Sequence, residues 1–466
     1  MEENILRYPL PSGDPKKWNL IQEKLNEKIT DFEQLTTTLV TLHGTCFGDA
    51  ERWEGVRLPS LKIAIDEMTE NLEDFNFFGN LLPKIATWAL DLEELFKDAE
   101  HSFNALEAGK NCETSFTALQ SRSLLANSFF CTLAPFSCLK TGENSKRHFG
   151  NIDWMRLYCC IPDIPEGYER LKCQLYYFYT VDKLEPSGTI RYIRRAMHPG
   201  DFPVWETSKA ELSPVVFDEN KKIEDSDGFM HADFANKDLM LHYIIPSMTQ
   251  EEVLFSIRPD IFPILLIAER LEDDEVILIM GAKIYSSYTG YLSSFEWQPL
   301  RREDFLNRQP TGIFAVDAIP SMGDVQFTTK YVNRELRKIH LGFTAIDEFA
   351  NDYRDLPYEF DRVSTGNWGC GAFGGNLYLK FLEQWIAASI GGKKMDYSTF
   401  KNPKLKKVLS ELQTAVLDKE LTAGKLYFLI QRYGEGFDPR KQSKLPESFL
   451  KFMSKHLEVQ LRGIDN

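Results

Sequence analysis

Two adjacent glutamates, Glu251 and Glu252, stand at the head of an apolar run in the stretch "SMTQEEVLFSIRPD" (residues 247–260). Paired carboxyl groups are candidates for acid–base chemistry. They can equally well begin a helix, because Thr249 and Glu252 have the T-x-x-E spacing of a capping box. Acids in a first helical turn also suit the helix dipole. The stretch alone therefore leaves helix initiation and chemistry both open.

A glycine-rich segment, "TGNWGCGAFGGN" (residues 365–376), holds five glycines in twelve residues, and a helical pattern follows it directly. Glycine permits close approach of the backbone to a ligand. A loop of this kind at a helix N-terminus presents free N–H groups to an anion, typically a phosphate. The alternative is a tight structural turn. No G-x-x-x-x-G-K-[ST] pattern is present, which excludes a P-loop.

Two further clusters have residue types that suit a sugar or a base. Asp233 and Asn236 in "HADFANKD" (residues 231–238) suit sugar hydroxyls, although they suit turns equally well. Tyr288 and Tyr291 in "YSSYTGYLSSFEW" (residues 285–297) could stack on a base, or could simply pack against their neighbours. Neither cluster decides between these alternatives.

The elements that must position these residues change in character along the chain. Residues up to about 145 show apolar positions at helical spacing, and the polar stretch at residues 140–151 is the expected boundary. Beyond it, residues 172–181, 275–282 and 312–319 are predicted strands, since they are rich in β-branched and aromatic residues. Residues 251–271, divided by Pro259 and Pro263, and residues 377–389 are predicted helices, as is the tail from residue 402 to about 418. Strands interleaved with helices indicate a layered α/β domain.

Composition limits the classes of function. The net charge of −15 argues against a nucleic-acid-binding face, so no direct DNA binding is expected. The eight cysteines and eight histidines are scattered without a C-x-x-C pair, which predicts no zinc site and no disulfide framework. With no signal segment and no apolar run of about 18 residues, an intracellular protein without a membrane span is expected.

Four stretches in fixed order, "DFAN", "QEEVLFSIRPD", "GAKIYSSYTGY" and "TGNWGCGAFGG", strongly resemble the poly(ADP-ribose) glycohydrolase family. The resemblance implies a macrodomain-like three-layer α/β/α core with a mixed sheet, preceded by an α-helical accessory region. We place the accessory region at residues 1–145, and the catalytic domain with a helical C-terminal extension at residues 146–466. The family hydrolyses ribose–ribose O-glycosidic bonds of poly(ADP-ribose) and releases ADP-ribose.

The resemblance also implies roles for individual residues. Glu252 would be the catalytic acid/base, and Glu251 would bind and orient the ribose. No metal or other cofactor is expected. The partners would be poly(ADP-ribose) and ADP-ribosylated proteins. The protein would act as a monomer in the nucleus or cytoplasm, including in the DNA damage response. The expected substrate-binding residues are Asp233 and Asn236 at the terminal ribose, Tyr291 and Phe400 on either side of the adenine, Ile223 and Glu224 at the adenine edge, and Asn367, Gly371, Ala372 and Phe373 along the diphosphate and distal ribose.

One segment departs from the family pattern. Three consecutive glycines of the family correspond here to Met240, Leu241 and His242. Non-glycine residues resist positive φ at a cost of roughly 1–2 kcal/mol each. The sequence therefore supports two hypotheses: a working glycohydrolase with a divergent loop, or a catalytically impaired family member that serves as an ADP-ribose-binding or protein-interaction module.

Overall fold

The computed structural model describes residues 5–48, 50–138, 147–241, 247–321, 323–437 and 444–461. The chain forms two compact units. The first comprises Met1–Ile193, Asp238–Arg270 and Ile279–Pro310, and the second comprises Arg194–Lys237, Leu271–Leu278 and Thr311–Asn466. Across the described ranges, we find no helix that combines the length and the apolar character needed to cross a lipid bilayer.

Most elements of the first unit are helices. The α-helices that follow Thr311 belong to the second unit. In chain order the α-helices of the described residues are α1 (Pro15–Asn26), α2 (Phe32–Phe47), α3 (Pro59–Asn71), α4 (Leu82–Leu90), α5 (Leu92–Leu95), α6 (Ala118–Phe129), α7 (Met155–Tyr158), α8 (Pro165–Lys183), α9 (Gln250–Ile257), α10 (Ile264–Ile267), α11 (Arg302–Asn307), α12 (Thr329–Thr344), α13 (Leu377–Ile390), α14 (Pro403–Asp418), α15 (Ala423–Gly434) and α16 (Phe449–Leu457).

The strands of the described residues are β1 (Arg7–Pro9), β2 (Ser102–Asn104), β3 (Cys112–Thr117), β4 (Thr189–Ala196), β5 (Val215–Asp218), β6 (Gly228–Asp233), β7 (Glu275–Ala282), β8 (Ser286–Thr289), β9 (Glu296–Pro299), β10 (Thr311–Ala315), β11 (Glu359–Gly366) and β12 (Lys394–Ser398). Within this part of the chain the largest sheet has eight strands in the order β3-β4-β7-β10-β6-β11-β12-β5. Neighbours from β10 to β5 pair in parallel. This sheet with its helices confirms the predicted α/β class.

Burial explains which stretches became the central strands. Every residue of β6 and β10 is buried, which is usual for a parallel sheet covered on both faces. In β6, Phe229 and Met230 are fully buried, as are Ile313 and Phe314 in β10. Their continuous apolar character is therefore a consequence of position in the sheet. The predicted strand at residues 312–319 is confirmed only for its first part, since β10 ends at Ala315.

The predicted strand at residues 172–181 is wrong, because these residues lie within α8. Nearly all of them are buried, including the polar Lys172 and Gln174, so no exposed face marks the helix. A buried helix and a buried strand cannot be distinguished by periodicity in such a case. The helix prediction over residues 251–271 is confirmed in part: Pro259 and Pro263 separate α9 from the short α10, and residues 268–271 are not helical. Residues 377–389 form most of α13, and the tail from residue 402 forms α14.

Candidate active site

The first turn of α9 carries the two adjacent glutamates. The backbone N–H of Thr249 donates a hydrogen bond of 2.9 Å to Oε2 of Glu252, and the Thr249 hydroxyl donates to the same oxygen. The expected capping box is thus confirmed. The side chain of Glu252 is 1% exposed. Among the described residues no hydrogen bond reaches its Oε1. One carboxylate oxygen therefore holds the helix start, and the other remains for chemistry.

Glu251 is fixed by the segment that departs from the family pattern. The backbone N–H of Met240 donates to Oε1 of Glu251 at 2.7 Å, and Glu251 itself is 4% exposed. Met240 has a φ of 52°, in the left-handed region, and its side chain is buried. Leu241 is 50% exposed, and His242 lies outside the described residues. Met240 thus adopts the backbone conformation that a glycine would supply more cheaply.

Tyr291 lies beside the same helix entrance. Burial and the nearby charge of Glu252 raise the pKa of its hydroxyl. The following residue, Leu292, has a φ of 52° and donates its N–H to the carbonyl of Met248, immediately before the helix cap. The first unit thus brings together three of the predicted site residues, Glu251, Glu252 and Tyr291. Whether Tyr291 stacks on the adenine remains a prediction.

The other predicted site residues follow the parallel strands of the second unit. Asp233 ends β6, Asn236 lies three residues further, Asn367 follows β11 directly, and Phe400 follows β12. Because the carboxyl ends of parallel strands meet at one edge of a sheet, these residues lie along that edge. Ligands of open α/β sheets bind at this edge. Asp233 is fully buried and Asn236 is half-buried.

The glycine-rich loop (residues 365–376) joins β11 to α13 and has an exposed tip at Gly371 and Ala372. Its ends are anchored, since Ser321 N–H donates to the Phe373 carbonyl at 2.7 Å and Gly375 N–H donates to the Gly369 carbonyl at 2.9 Å. Among the described residues, no acceptor takes the N–H groups of Gly371, Ala372 and Phe373. Successive free amides in a turn form a concavity that binds anions.

Hydrogen bonds at the end of β11 fix Asn367 and the segment that carries Glu224. Tyr397 donates its hydroxyl to Oδ1 of Asn367 at 3.2 Å, which leaves the amide N–H₂ of Asn367 for a ligand. Ser364 donates to the carbonyl of Ile223 at 2.8 Å and so ties the segment Ile223–Asp225 to β11. Oε1 of Glu224 is buried and has no hydrogen-bond partner among the described residues. Glu224 is therefore suited to accept from a ligand N–H group.

Phe400 is 49% exposed, although large aromatic side chains are usually covered. Its φ is 50°, and the N–H groups of its neighbours Thr399 and Lys401 are held by the carbonyls of Asp218 and Glu219. Left-handed backbone at a bulky residue costs energy and tends to occur at functional sites. Ten non-glycine residues among those described have a positive φ, and three of them, Met240, Leu292 and Phe400, lie at or beside a predicted site residue.

Sequence reasoning did not identify the residues that fix the predicted site residues in place by hydrogen bonds. Tyr397, Ser321 and the Met240 backbone each fix a predicted site residue through one hydrogen bond. The alternation of "KMDYS" in β12 could have indicated that Tyr397 faces the same side as Met395, but its partner lies 30 residues away. No group of ligating side chains that could hold a metal ion occurs in the described residues.

Comparison with known proteins identifies matching families and relatives. The model of the poly(ADP-ribose) glycohydrolase helical domain matches residues 69–194, and the model of the macrodomain fold of the same family matches residues 202–407. Together the two models match more than half of the chain. A division into an accessory region and a catalytic domain near residue 145 remains a prediction.

The curated relatives share about a quarter of their residues with this chain. Poly(ADP-ribose) glycohydrolase 2 of Caenorhabditis elegans is 27% identical over 92% of this chain and 87% of its own length. Two proteins of Arabidopsis thaliana, probable poly(ADP-ribose) glycohydrolase 2 and poly(ADP-ribose) glycohydrolase 1, are each 26% identical over 79% of this chain and 80% of their own lengths.

Proposed function

Because the chain belongs to the poly(ADP-ribose) glycohydrolase family, we propose that it hydrolyses the ribose–ribose O-glycosidic bonds of poly(ADP-ribose) with Glu252 as the catalytic acid/base. The observation that carries the proposal is that the two oxygens of the Glu252 carboxyl group have different surroundings. Oε2 of Glu252 is held by Thr249, and Oε1 has no hydrogen-bond partner among the described residues. The acid is therefore fixed in place with one oxygen available to the substrate.

The reaction follows from the chemistry of the acetal bond. Glu252 in its acid form donates a proton to the leaving ribose oxygen as the bond to the anomeric carbon breaks and positive charge develops there. Water then adds to that carbon, and its proton passes to the Glu252 carboxylate, which restores the acid. Glu251, whose carboxylate is oriented by the Met240 N–H, would bind the ribose hydroxyls and hold the anomeric carbon against Glu252.

The remaining residues would bind the rest of the ADP-ribose unit. The free N–H groups of Gly371, Ala372 and Phe373 supply donors for the diphosphate, and Asn367 supplies an amide for the distal ribose. Phe400, with Tyr291 on the other face, would stack on the adenine, whose edge would meet Glu224 and Ile223. Asp233 and Asn236 would support the terminal ribose. These assignments are proposals that rest on family membership and on the geometry of each unit.

The loss of glycine at positions 240–242 does not favour the alternative of an inactive binding module. Met240 adopts positive φ and keeps its N–H on Glu251, so the backbone function of the position persists despite the side chain. Action on ADP-ribosylated proteins in the nucleus or cytoplasm, including in the DNA damage response, is part of the proposal through family membership alone.

The test is release of ADP-ribose from purified poly(ADP-ribose), measured by chromatography. General acid–base catalysis contributes about 10²- to 10⁴-fold, so Glu252→Gln should lower kcat by that factor. The Gln oxygen can still accept from Thr249, and we expect ADP-ribose binding by calorimetry to be retained. Wild-type release no greater than that of the variant would refute the enzymatic proposal. Absence of binding heat with the wild type would refute the binding role as well.

A further inference from the structure

Beneath the glycine-rich loop lies a buried group of charges that no step of the proposed reaction uses. The ammonium of Lys380, in the first turns of α13, contacts Oε2 of Glu335 from α12 and donates to Oε2 of Glu383 at 3.0 Å. All three residues are 3% exposed or less. We call these three residues the Lys380 cluster. Burying a lysine beside two carboxyl groups has a desolvation cost that their attraction does not reliably offset, so stability alone does not explain the arrangement.

The carbon chain of Lys380 fills the inside of the glycine-rich loop. A Cβ placed on Gly375 would come within 3.2 Å of Cε and Cγ of Lys380, and one placed on Gly369 would come within 3.5 Å of Cε. The ammonium also lies 4.8 Å from the centre of the Trp368 ring. The loop therefore packs against this one side chain. Gly375 leaves room for Lys380 and for the Gly369 carbonyl, whereas Gly369 is required by its φ of 71° and by the nearby Ala318 side chain.

The same cluster reaches the segment that anchors the loop from the other side. Glu335 accepts the N–H of Ile319 at 3.3 Å with each of its oxygens. Two residues further, the N–H of Ser321 donates to the Phe373 carbonyl. Arg334 donates to Oε1 of Glu335 at 2.7 Å and to the carbonyl of Asp317 at 2.6 Å. The Lys380 cluster thus contacts the loop itself through Lys380 and the segment that anchors the loop through Glu335.

We propose that Lys380, held between Glu335 and Glu383, is a positioning residue that sets the conformation of the glycine-rich loop, so that the N–H groups of residues 371–373 face the diphosphate of an ADP-ribose unit. The diphosphate part of this inference rests on the proposed function; the positioning part does not. Lys380 acts through the loop backbone and does not itself contact the ligand in this scheme.

The chain offers a matched control. Lys393 is 4% exposed, compared with 3% for Lys380, and its ammonium pairs with Asp347. It follows the C-terminal end of α13, whereas Lys380 lies near the N-terminal end that leads from the loop. Lys380→Met and Lys393→Met therefore remove the same charge at similar burial. Glu335 keeps Arg334 when Lys380 is removed, whereas Glu383 loses its partner. The double variant Lys380→Met with Glu383→Gln therefore removes the carboxyl group left without its lysine and covers the case in which the single variant does not fold.

Cys370 within the loop provides a readout independent of ligand. Its thiol pKa is raised to about 12 by burial, against which the Lys380 charge acts, so its reaction with iodoacetamide should be slow. Loss of the Lys380 charge alone would raise that pKa further and slow the reaction. Release of the loop would instead expose the half-buried thiol further and accelerate the reaction. Peptide mass spectrometry of the alkylated protein measures the rate at Cys370 separately from the other cysteines.

We expect Cys370 in both Lys380 variants to react faster than in the wild type and in Lys393→Met. ADP-ribose affinity by calorimetry should fall on the order of tenfold, the effect of losing a hydrogen bond to a charged group. Alkylation of Cys370 that is unchanged or slower in the Lys380 variants would overturn the positioning role. Faster alkylation together with a wild type that binds no ADP-ribose would support positioning and refute only the proposed function.

Discussion

Replacing Met240 tests whether the divergent loop keeps the backbone of its glycine-containing relatives. The residue combines a φ of 52° with a side chain that is 2% exposed, and its N–H holds Glu251. The left-handed conformation favours glycine, whereas the buried thioether favours methionine. The two effects oppose each other, so their sizes decide the outcome of Met240→Gly.

The size of each effect can be worked out. Removing a buried methionine side chain costs about 2–5 kcal/mol in the free energy of unfolding. Glycine adds a further cost of about 0.4–1 kcal/mol through the freedom of the unfolded chain. Relief of the left-handed strain returns about 1–2 kcal/mol. The side-chain loss is therefore larger, and Met240→Gly should destabilise the protein by roughly 2–3 kcal/mol at the centre of these ranges.

A series at one position separates the two effects. Met240→Leu conserves volume and should cost less than about 1.5 kcal/mol. Met240→Ala removes the side chain but retains the strain, so we expect it to be less stable than Met240→Gly by about 1 kcal/mol. Urea unfolding followed by tryptophan fluorescence measures all four proteins. The expected order of stability is Met, Leu, Gly, Ala.

An alanine variant as stable as the glycine variant, or more stable, would refute left-handed backbone at this position. Catalysis provides the matching control, because every substitution in the series retains the N–H that orients Glu251. Hydrolysis of poly(ADP-ribose) should therefore vary much less among the four proteins than it does on Glu252→Gln.

Three further changes test other parts of the structure. Phe400→Ala should weaken ADP-ribose binding in calorimetry by roughly 1–3 kcal/mol, as for base–aromatic stacking. The loss of stability should be small because Phe400 is 49% exposed. A variant that binds with wild-type affinity would remove Phe400 from the site. Arg194→Met breaks the fully buried ion pair with Glu275 and should lower the free energy of unfolding in urea by about 3–5 kcal/mol. Adding Glu275→Leu should restore most of that stability. A double variant as unstable as the single one would contradict this. Burial raises the pKa of Glu383 from 4.5 to about 8, so the folded state keeps a proton that the unfolded state loses, and stability should fall as pH rises from about 4.5 to 8 and then level off. Glu383→Gln should lack this contribution to the pH dependence of the urea midpoint, and identical pH curves would show that Glu383 does not hold the proton.

The local signals in the sequence predicted the parts of the site that depend on neighbours in the chain. The T-x-x-E spacing predicted the cap at Thr249, and the two prolines after α9 predicted its end. The glycine-rich loop was identified by composition, and its free amides at Gly371, Ala372 and Phe373 are what that composition allows. In each case the interaction spans only a few residues, so sequence order carries the information.

The contacts that support the site through residues distant in the sequence could not be predicted in this way. Lys380 and Glu383 have the spacing of an ordinary surface pair on a helix, and their burial depends on Glu335, which lies 45 residues from Lys380. The helix α8 was mistaken for a strand because its neighbours bury every side of it. Tertiary packing determined both outcomes, and a single sequence does not reveal packing.

The anchored glycine-rich loop has a kinetic consequence. Its ends are tied by the Ser321 and Gly369 hydrogen bonds before any ligand arrives, so the amides at its tip need little ordering on association. Binding of rigid analogues of the diphosphate should then proceed in a single exponential phase whose rate rises linearly with concentration. Differences in affinity among such analogues should lie mainly in how long each complex survives, which makes residence time the useful quantity to compare when inhibitors of this protein are sought.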